Sequence, residues 1–285
     1  LGFEKQFVFA TFGLLQFIDP SDSILLHGGA RAVSRAVADF CSVDDRLLGV
    51  GYVPLQDPIK SLDIAKEAVA AGCKVLMVPA HPQGSLAATH AEFDPLWEFM
   101  QDTNTPFVLH VGGDGLSLID PAYHKNGIER LKGVSGGEAV GAKDYFGIPH
   151  SAQIFLAAMI FDGVFDRFPN LRGAAIEIGA LWVPGWLRAL DLVQHNFTKS
   201  EPALGDLALK ASEYVEKHLR FTPFVHEPVG WLIEQTSAEL YMFSSDYPHP
   251  EGGRDPIAKF DRSLEGLSED AISSFYCKNF ERLIA

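Results

Sequence analysis

The chain has 285 residues, 47% of them hydrophobic, and a formal net charge of −14 at pH 7. This length and apolar content suffice for a substantial core, and we expect a single domain over residues 1–285. The acidic balance and the absence of any polybasic run disfavour nucleic-acid and anionic-membrane partners. Three widely spaced cysteines without a C-x-x-C pair, and no apolar run near 18 residues, favour a soluble protein of a reducing cytoplasm.

Seven short apolar runs, rich in Val, Leu, Phe and Ala, predict strands that are buried on both faces. These runs cover residues 6–11, 47–53, 74–80, 106–111, 171–177, 218–224 and 239–245. Helical patterns lie at residues 30–40, 59–69, 93–103, 150–167, 183–195, 208–217, 228–236, 255–264 and 269–283. Repeated alternation of strand and helix predicts a parallel sheet with right-handed crossovers, either doubly wound or closed into a barrel. The glycine-rich nucleotide-binding loop that a doubly wound sheet would carry after its first strand is absent.

The predicted fold is therefore α/β, a (β/α)8 TIM barrel. Such a barrel needs eight strands, one more than the seven predicted runs. The sequence starts at Leu1 without methionine and enters its first strand-like run at Gln6. We expect that the first barrel strand precedes Leu1 and that the N-terminus is incomplete.

Three of the predicted strands end in a side chain that can bind a metal ion. His110 precedes a Gly-Gly pair, Glu177 precedes a glycine two residues later, and Asp246 follows an aromatic-rich run. The C-terminal ends of the strands carry the active site in barrels of this type. Imidazole and carboxylate groups are the usual ligands of catalytic zinc or manganese. We predict that His110 and Asp246 bind one divalent ion, with zinc preferred and manganese as the alternative, and that Asp246 also serves as a proton carrier.

Each of these residues also has a purely structural interpretation. A single histidine at a strand end is often an ordinary hydrogen-bonding residue, and an aspartate before Tyr-Pro can begin a turn. The metal-site hypothesis rests on the shared position of His110 and Asp246 at matching strand ends.

Three further residues are predicted to contact substrate. His81 follows a predicted strand, His249 follows Asp246 by three residues, and Arg254 offers a cation for a substrate carboxylate. A loop cap for His81, a turn for His249 and a surface salt bridge for Arg254 are the alternatives. The long glycine-rich segment at residues 112–149 is expected to cover the pocket.

Several motifs resemble the amidohydrolase-related family, which includes the aminocarboxymuconate-semialdehyde decarboxylase-like enzymes. They are found at residues 49–58, 168–172, 176–179, 243–249 and 278–283. The resemblance implies a (β/α)8 barrel with one divalent metal that catalyses hydrolysis or non-oxidative decarboxylation. It also implies that His110 corresponds to the ligand after the fifth strand and Asp246 to the ligand after the eighth.

Two departures from the family pattern affect the expected site. The His-x-His or Glu-x-His pair of the first strand is absent, consistent with an incomplete N-terminus. Glu177 stands where the family usually has the histidine of the sixth strand. Glu177 could bind metal, act as a base, or form an ion pair with a residue such as Arg188.

We predict a metal-dependent enzyme that hydrolyses a C–N or ester bond of a small molecule through metal-activated water. Decarboxylation of a small carboxylated aromatic compound on the same site is the alternative, disfavoured slightly by Glu177. A serine hydrolase could be assembled from the G-x-S-x-G match at residues 133–137 and a loop at His27, but no buried strand precedes that serine. A non-catalytic degenerate barrel is the remaining alternative. A homodimer is expected, since an exposed tryptophan on a barrel helix would suit one.

Overall fold

The structure is a computed structural model that describes residues 2–14, 16–113, 117–128, 140–249 and 252–285. Six parallel strands form one curled sheet in which each strand pairs with its neighbour in sequence. They are β1 (Gln6–Val8), β2 (Leu47–Tyr52), β3 (Val75–Met77), β4 (Phe107–His110), β5 (Gly173–Ile176) and β6 (Leu219–Phe221). Helices cross between successive strands, so the fold is the predicted α/β barrel of the TIM type.

The seventh predicted strand, at residues 239–245, is reduced to a single parallel bridge between Tyr241 and Phe221. Phe221 N–H donates to Leu240 O and Met242 N–H donates to Phe221 O, which continues the ladder beyond β6. One residue later, Phe243 N–H donates to Phe275 O instead. The run is therefore shorter than predicted because its backbone leaves the sheet to bond the C-terminal helices. An eighth strand upstream of Leu1 stays a prediction.

The α-helices of the described residues are α1 (Thr11–Leu14), α2 (Ser23–Cys41), α3 (Pro58–Ala71), α4 (Asp94–Asp102), α5 (Ala142–Gly147), α6 (His150–Phe161), α7 (Val164–Arg167), α8 (Val183–Phe197), α9 (Ala211–His218), α10 (Val229–Gln235), α11 (Pro256–Ser263), α12 (Glu269–Ser273) and α13 (Asn279–Ile284). Each predicted helix has a counterpart among them, although two long predictions divide, α2 begins seven residues earlier than predicted, and α1 and α5 were not predicted. The predicted helix at 150–167 divides at Gly163, whose φ of 67° is left-handed. The helix predicted at 269–283 contains one π-helical turn, Ser274–Lys278, between α12 and α13.

Local signals explain where several of these helices begin and end. Asp22 accepts hydrogen bonds from the N–H groups of the first turn of α2, and Asp57 does the same for α3. Gly72 ends α3 in a left-handed conformation with φ 117°. These caps set where α2 begins and where α3 begins and ends. They thereby help to set where the following strands begin.

Strands β2 to β6 are almost fully buried in the core, as their apolar composition predicts, whereas β1 is exposed at Gln6 and partly buried beyond it. Gly173 in β5 lets the Phe107 ring approach so closely that a Cβ would lie 2.2 Å from it. Trp182 and Trp186 make edge-to-face contacts with Phe221, so Trp186 belongs to the core and the partly buried Trp182 packs against it. Among the described residues, no helix combines the length and apolar character needed to span a bilayer.

Candidate metal centre at the strand ends

His110 and Glu177 meet at the C-terminal ends of two neighbouring strands. His110 is the last residue of β4 and pairs with Ile176 in β5, which places Glu177 one residue beyond the pairing. His110 Nε2 lies 2.7 Å from Glu177 Oε2. On its other side, His110 Nδ1 lies 2.9 Å from Val111 O, to which it donates. The ring of Phe9 packs on the imidazole with centroids 4.5 Å apart. The imidazole is therefore held in one orientation by polar partners and by an aromatic contact.

The ion pair raises the pKa of His110 and lowers the pKa of Glu177. Burial acts against the charged form of both groups. For His110, the hydrogen bond and negative charge of Glu177 outweigh that burial and raise its pKa overall. For Glu177, the hydrogen bond and positive charge of His110 do the same in the opposite direction, and His249 adds to the lowering of its pKa. The described site thus favours a protonated imidazole facing an ionised carboxylate.

Glu177 and Asp246 both adopt a left-handed backbone conformation, with φ of 55° and 54°. Non-glycine residues seldom occupy this region, and such residues are concentrated at functional sites. The backbone N–H of Glu177 donates to Thr222 Oγ1 at 3.0 Å, and Thr222 directly follows β6. His249 N–H donates to Asp246 O at 2.8 Å, which closes a turn that returns His249 toward Asp246. Local backbone geometry therefore directs these side chains to one place.

Glu177, Asp246 and His249 form a cluster that could hold a metal ion. One oxygen or nitrogen atom from each residue lies within 4.8 Å of the others, and all three side chains are partly buried. His249 Nδ1 is 4.0 Å from Glu177 Oε1. Two carboxylates and an imidazole match the donor preferences of zinc and manganese, and their charges would balance a divalent cation. The donor set therefore fits a divalent ion.

A small cleft of about 10 Å³ adjoins this cluster. Glu177, Asp246, Thr222, Phe224 and His226 contribute to its lining. This volume is close to the space occupied by a single water molecule. The cleft is therefore large enough for an ion or a water molecule.

A second segment packs against this cleft through Tyr145 of α5. Tyr145 Oη lies 3.1 Å from His226 Nε2, and its ring is 5.6 Å from that of Phe224. The rings of Phe224 and His226 stack with an interplanar angle of 8°. The long segment at residues 112–149 was predicted to cover the pocket, and its described residue Tyr145 contacts the cleft wall.

The other predicted substrate contacts lie apart from the cluster. His81 lines a separate cavity of about 340 Å³, together with His150 and residues 117–120. Among the described residues, this cavity shares no lining residue with the cleft beside Asp246. Arg254 is exposed and is not among the residues that line either cavity. His249 differs from both, because it joins the candidate ligands themselves.

The structure also bears on the rival serine-hydrolase hypothesis. His27, expected in an oxyanion loop, lies buried within α2, with its Nδ1 2.7 Å from Ser23 O. A helical backbone uses its N–H groups internally, so this segment does not form the expected loop. The G-x-S-x-G match at residues 133–137, including its serine, lies outside the described residues. Glu177 pairs with His110 at 2.7 Å, whereas Arg188, suggested by the sequence as a partner, is exposed on α8.

Two residues of the site, Thr222 and Glu227, are not indicated by any pattern in the sequence. Thr222 holds the backbone of Glu177, and Glu227 is only 5% exposed while accepting backbone hydrogen bonds beside the cleft. Thr222 lies inside the predicted strand at residues 218–224, whereas β6 ends at Phe221, so its position at a strand end is visible only in the structure. Glu227 lies in a Val-His-Glu-Pro stretch whose composition resembles an ordinary exposed loop.

Parallel strands with carboxylates and imidazoles gathered at their C-terminal ends define an α/β barrel of the TIM type with a candidate metal centre. The sequence profile of the amidohydrolase family matches residues 12–284, and the chain belongs to this family. None of the curated protein sequences matches it.

Solved structures with the same fold include an amidohydrolase from Mycobacterium avium subsp. paratuberculosis. It is 22% identical with a TM-score of 0.80, and the alignment covers 99% of this chain and 71% of that one. A 5-carboxyvanillate decarboxylase from Novosphingobium aromaticivorans, complexed with manganese, is 20% identical with a TM-score of 0.75, covering 99% and 76%. The 2,6-dihydroxybenzoate decarboxylase from Rhizobium is 17% identical with a TM-score of 0.69, covering 99% and 84%. At these identities the likeness shows a shared fold.

Proposed function

We propose that this protein is a divalent-metal-dependent enzyme that decarboxylates a small carboxylated aromatic compound without an oxidant. The observation that carries the proposal is the Glu177–Asp246–His249 cluster, whose donor atoms converge within 4.8 Å at the strand ends. The decarboxylases among the similar structures support this choice over hydrolysis, and the manganese in one of them favours manganese as the first ion to test. Zinc remains compatible with the same donors.

Glu177, Asp246 and His249 would hold the ion, with His110 beside Glu177. When bound, the ion would act as a Lewis acid toward a substrate oxygen. This assignment differs from the ligand set predicted from sequence in two respects. His249, predicted as a substrate contact, becomes a ligand, and His110 becomes the partner that orients the Glu177 carboxylate.

The reaction breaks the bond between a ring carbon and the carboxylate carbon, and carbon dioxide leaves. The bonding electron pair stays with the ring carbon, which takes up one proton. Asp246 would carry that proton on a carboxyl oxygen, as general acids do when placed against the reacting atom. Although burial acts against its charged form, Glu177 would stay ionised as a ligand, because His110 Nε2, 2.7 Å from Glu177 Oε2, lowers the pKa of that carboxyl.

Hydrolysis of a C–N or ester bond is the second candidate. The observation that favours it is Glu177 itself, because it stands where decarboxylases of the family usually carry a histidine. A carboxylate beside the ion would serve equally well as a base toward water. Both reactions need the same metal ligands. In decarboxylation a proton is added to the ring carbon, whereas in hydrolysis a base removes a proton from water.

A product assay separates the two reactions. The chain, supplied with Mn²⁺ or Zn²⁺, is incubated with 2,6-dihydroxybenzoate, 5-carboxyvanillate, N-acyl amino acids and aryl esters. Metal-dependent release of carbon dioxide, with one deuterium on the ring carbon in D₂O, is the expected result. Release of an amine, acid or alcohol without carbon dioxide would instead establish hydrolysis. An Asp246→Asn variant serves as the control for contaminating activity.

A further inference from the structure

The Glu227 carboxylate joins two segments of the site. Glu227 Oε2 accepts hydrogen bonds from Ala180 N–H at 2.8 Å and Phe224 N–H at 2.9 Å. Its Oε1 accepts a third from Leu181 N–H at 3.1 Å. The residue is 5% exposed. Carboxylate hydrogen bonds of this kind are stronger than neutral ones and fix the donors in place.

Each of the two segments carries part of the candidate metal centre. The first follows β5 and begins with Glu177, only three residues before Ala180. The second follows β6, and its Thr222 accepts the N–H of Glu177 at 3.0 Å. Phe224 and its neighbour His226 line the cleft beside Asp246. The left-handed conformation of Glu177 is thus supported by Thr222 at its own amide and by Glu227 three and four residues later.

The packing around Glu227 leaves little freedom for the first segment. Gly179 has φ 68°, and a Cβ there would lie 2.7 Å from the Phe224 ring and 2.9 Å from Glu227 Oε1. Within the described part of the chain, Glu227 forms no ion pair, so the three N–H groups are the partners its carboxylate has. A buried carboxylate with several backbone donors and no cation serves to hold backbone rather than to bridge charges.

We propose that Glu227 is a positioning residue that holds the Glu177 carboxylate in the orientation required for metal binding. The proposal rests on the proposed role of Glu177 as a ligand. Outer partners of metal ligands typically account for about 10- to 100-fold in metal affinity. A glutamine at this position would retain one acceptor oxygen and turn an NH₂ group toward backbone donors, so it should release at least one of the two segments.

The first test measures the Mn²⁺ affinity of Glu227→Gln by electron paramagnetic resonance of the free ion. We expect binding at least ~10-fold weaker than in the wild-type chain. Glu213→Gln is the matched control, because Glu213 also accepts a backbone N–H, from Lys210, but lies at the exposed start of α9. Equal Mn²⁺ affinity in Glu227→Gln and wild type would overturn the proposal, even if the variant were less stable.

The second test uses amide hydrogen exchange without metal. Exchange at Ala180, Leu181 and Phe224 should be at least ~10-fold faster in Glu227→Gln and unchanged in Glu213→Gln. Unchanged exchange at these three amides would contradict the proposal that Glu227 joins the two segments. If the wild-type chain bound no Mn²⁺, the proposed function would fail. The exchange rates would still show whether Glu227 joins the two segments. If Glu227→Gln did not fold, joint slowing of the three amides on Mn²⁺ addition to wild type would support the proposal, and no slowing would refute it.

Discussion

His110 and Glu177 form an ion pair across neighbouring strands, with Nε2 and Oε2 2.7 Å apart and side-chain exposures of 6% and 16%. This pair explains how a glutamate can occupy the strand end where the family usually carries a histidine. An imidazole is still present at the site, but it comes from the preceding strand and faces the glutamate. The pair also keeps Glu177 ionised, as a metal ligand must be.

Asp246→Asn should abolish metal binding while leaving the fold intact, because the side chain is partly exposed and the change is nearly isosteric. In the wild-type chain, Mn²⁺ at 100 times its Kd should raise the free energy of unfolding by about 2.7 kcal/mol. The variant should show little of this gain and should lose more than ~100-fold in activity. Thermal unfolding with and without Mn²⁺ checks the prediction. Asp270→Asn, at an exposed carboxylate bonded to Lys278, should behave as wild type.

Thr222→Val should destabilise the protein by about 1–3 kcal/mol, because it leaves the N–H of Glu177 without its acceptor in a buried place. Thr222 is only 4% exposed, so water would not readily replace the hydroxyl. Urea unfolding gives the stability, and Mn²⁺ titration should show weaker binding. Thr222→Ser keeps the acceptor and should recover most of the affinity. Equal behaviour of the valine and serine variants would refute a role for this hydrogen bond.

Gly179→Ala should cost at least ~1–2 kcal/mol, the penalty of a left-handed conformation for a residue with a Cβ. The clashes with Phe224 and Glu227 add to that cost. Gly28→Ala is the opposite case, since Gly28 lies exposed within α2 and a Cβ there would meet nothing within 4 Å. It should stabilise the protein by about 0.5–1 kcal/mol. Chemical denaturation of both variants tests the pair, and a stabilising Gly179→Ala would contradict the described loop.

Stability should rise with pH between about 4 and 6.5 through His218. Burial lowers the pKa of His218 to about 4 from an ordinary value of 6.5, although its hydrogen bond to Leu171 O acts the other way. Below pH 6.5 the unfolded state binds a proton that the folded state does not accept until pH falls to about 4. The stability present above 6.5 is therefore lost progressively on acidification, by about 3 kcal/mol in all.

Urea unfolding of His218→Gln against wild type across this pH range tests the assignment. The variant should lack the part of the pH slope that His218 contributes. Its absolute stability will also change, because the imidazole stacks on Phe165 with centroids 4.4 Å apart, so the slope is the informative quantity. Identical slopes in the two proteins would exclude His218 as the titrating group.

The barrel could be predicted from sequence because apolar runs and amphipathic helices alternate along the whole chain. His110, Glu177 and Asp246 could be picked out for the same reason, since each ends or directly follows an apolar run of strand length and parallel strands bring their C-terminal ends together. The predicted strand at 239–245 was too long, because sequence does not show that Phe243 N–H bonds the C-terminal helices through Phe275 O.

The amino-acid sequence by itself determined the fold class, the family and the three polar strand ends. Only the tertiary structure decided their partners. It paired Glu177 with His110 rather than Arg188, placed His249 beside Asp246, and set His81 in a different cavity. It also showed that Thr222 accepts the N–H of Glu177 and that Glu227 accepts the N–H of Ala180. Strand ends follow from local periodicity, whereas the contact between two side chains depends on backbone conformation and packing across loops that are distant in sequence.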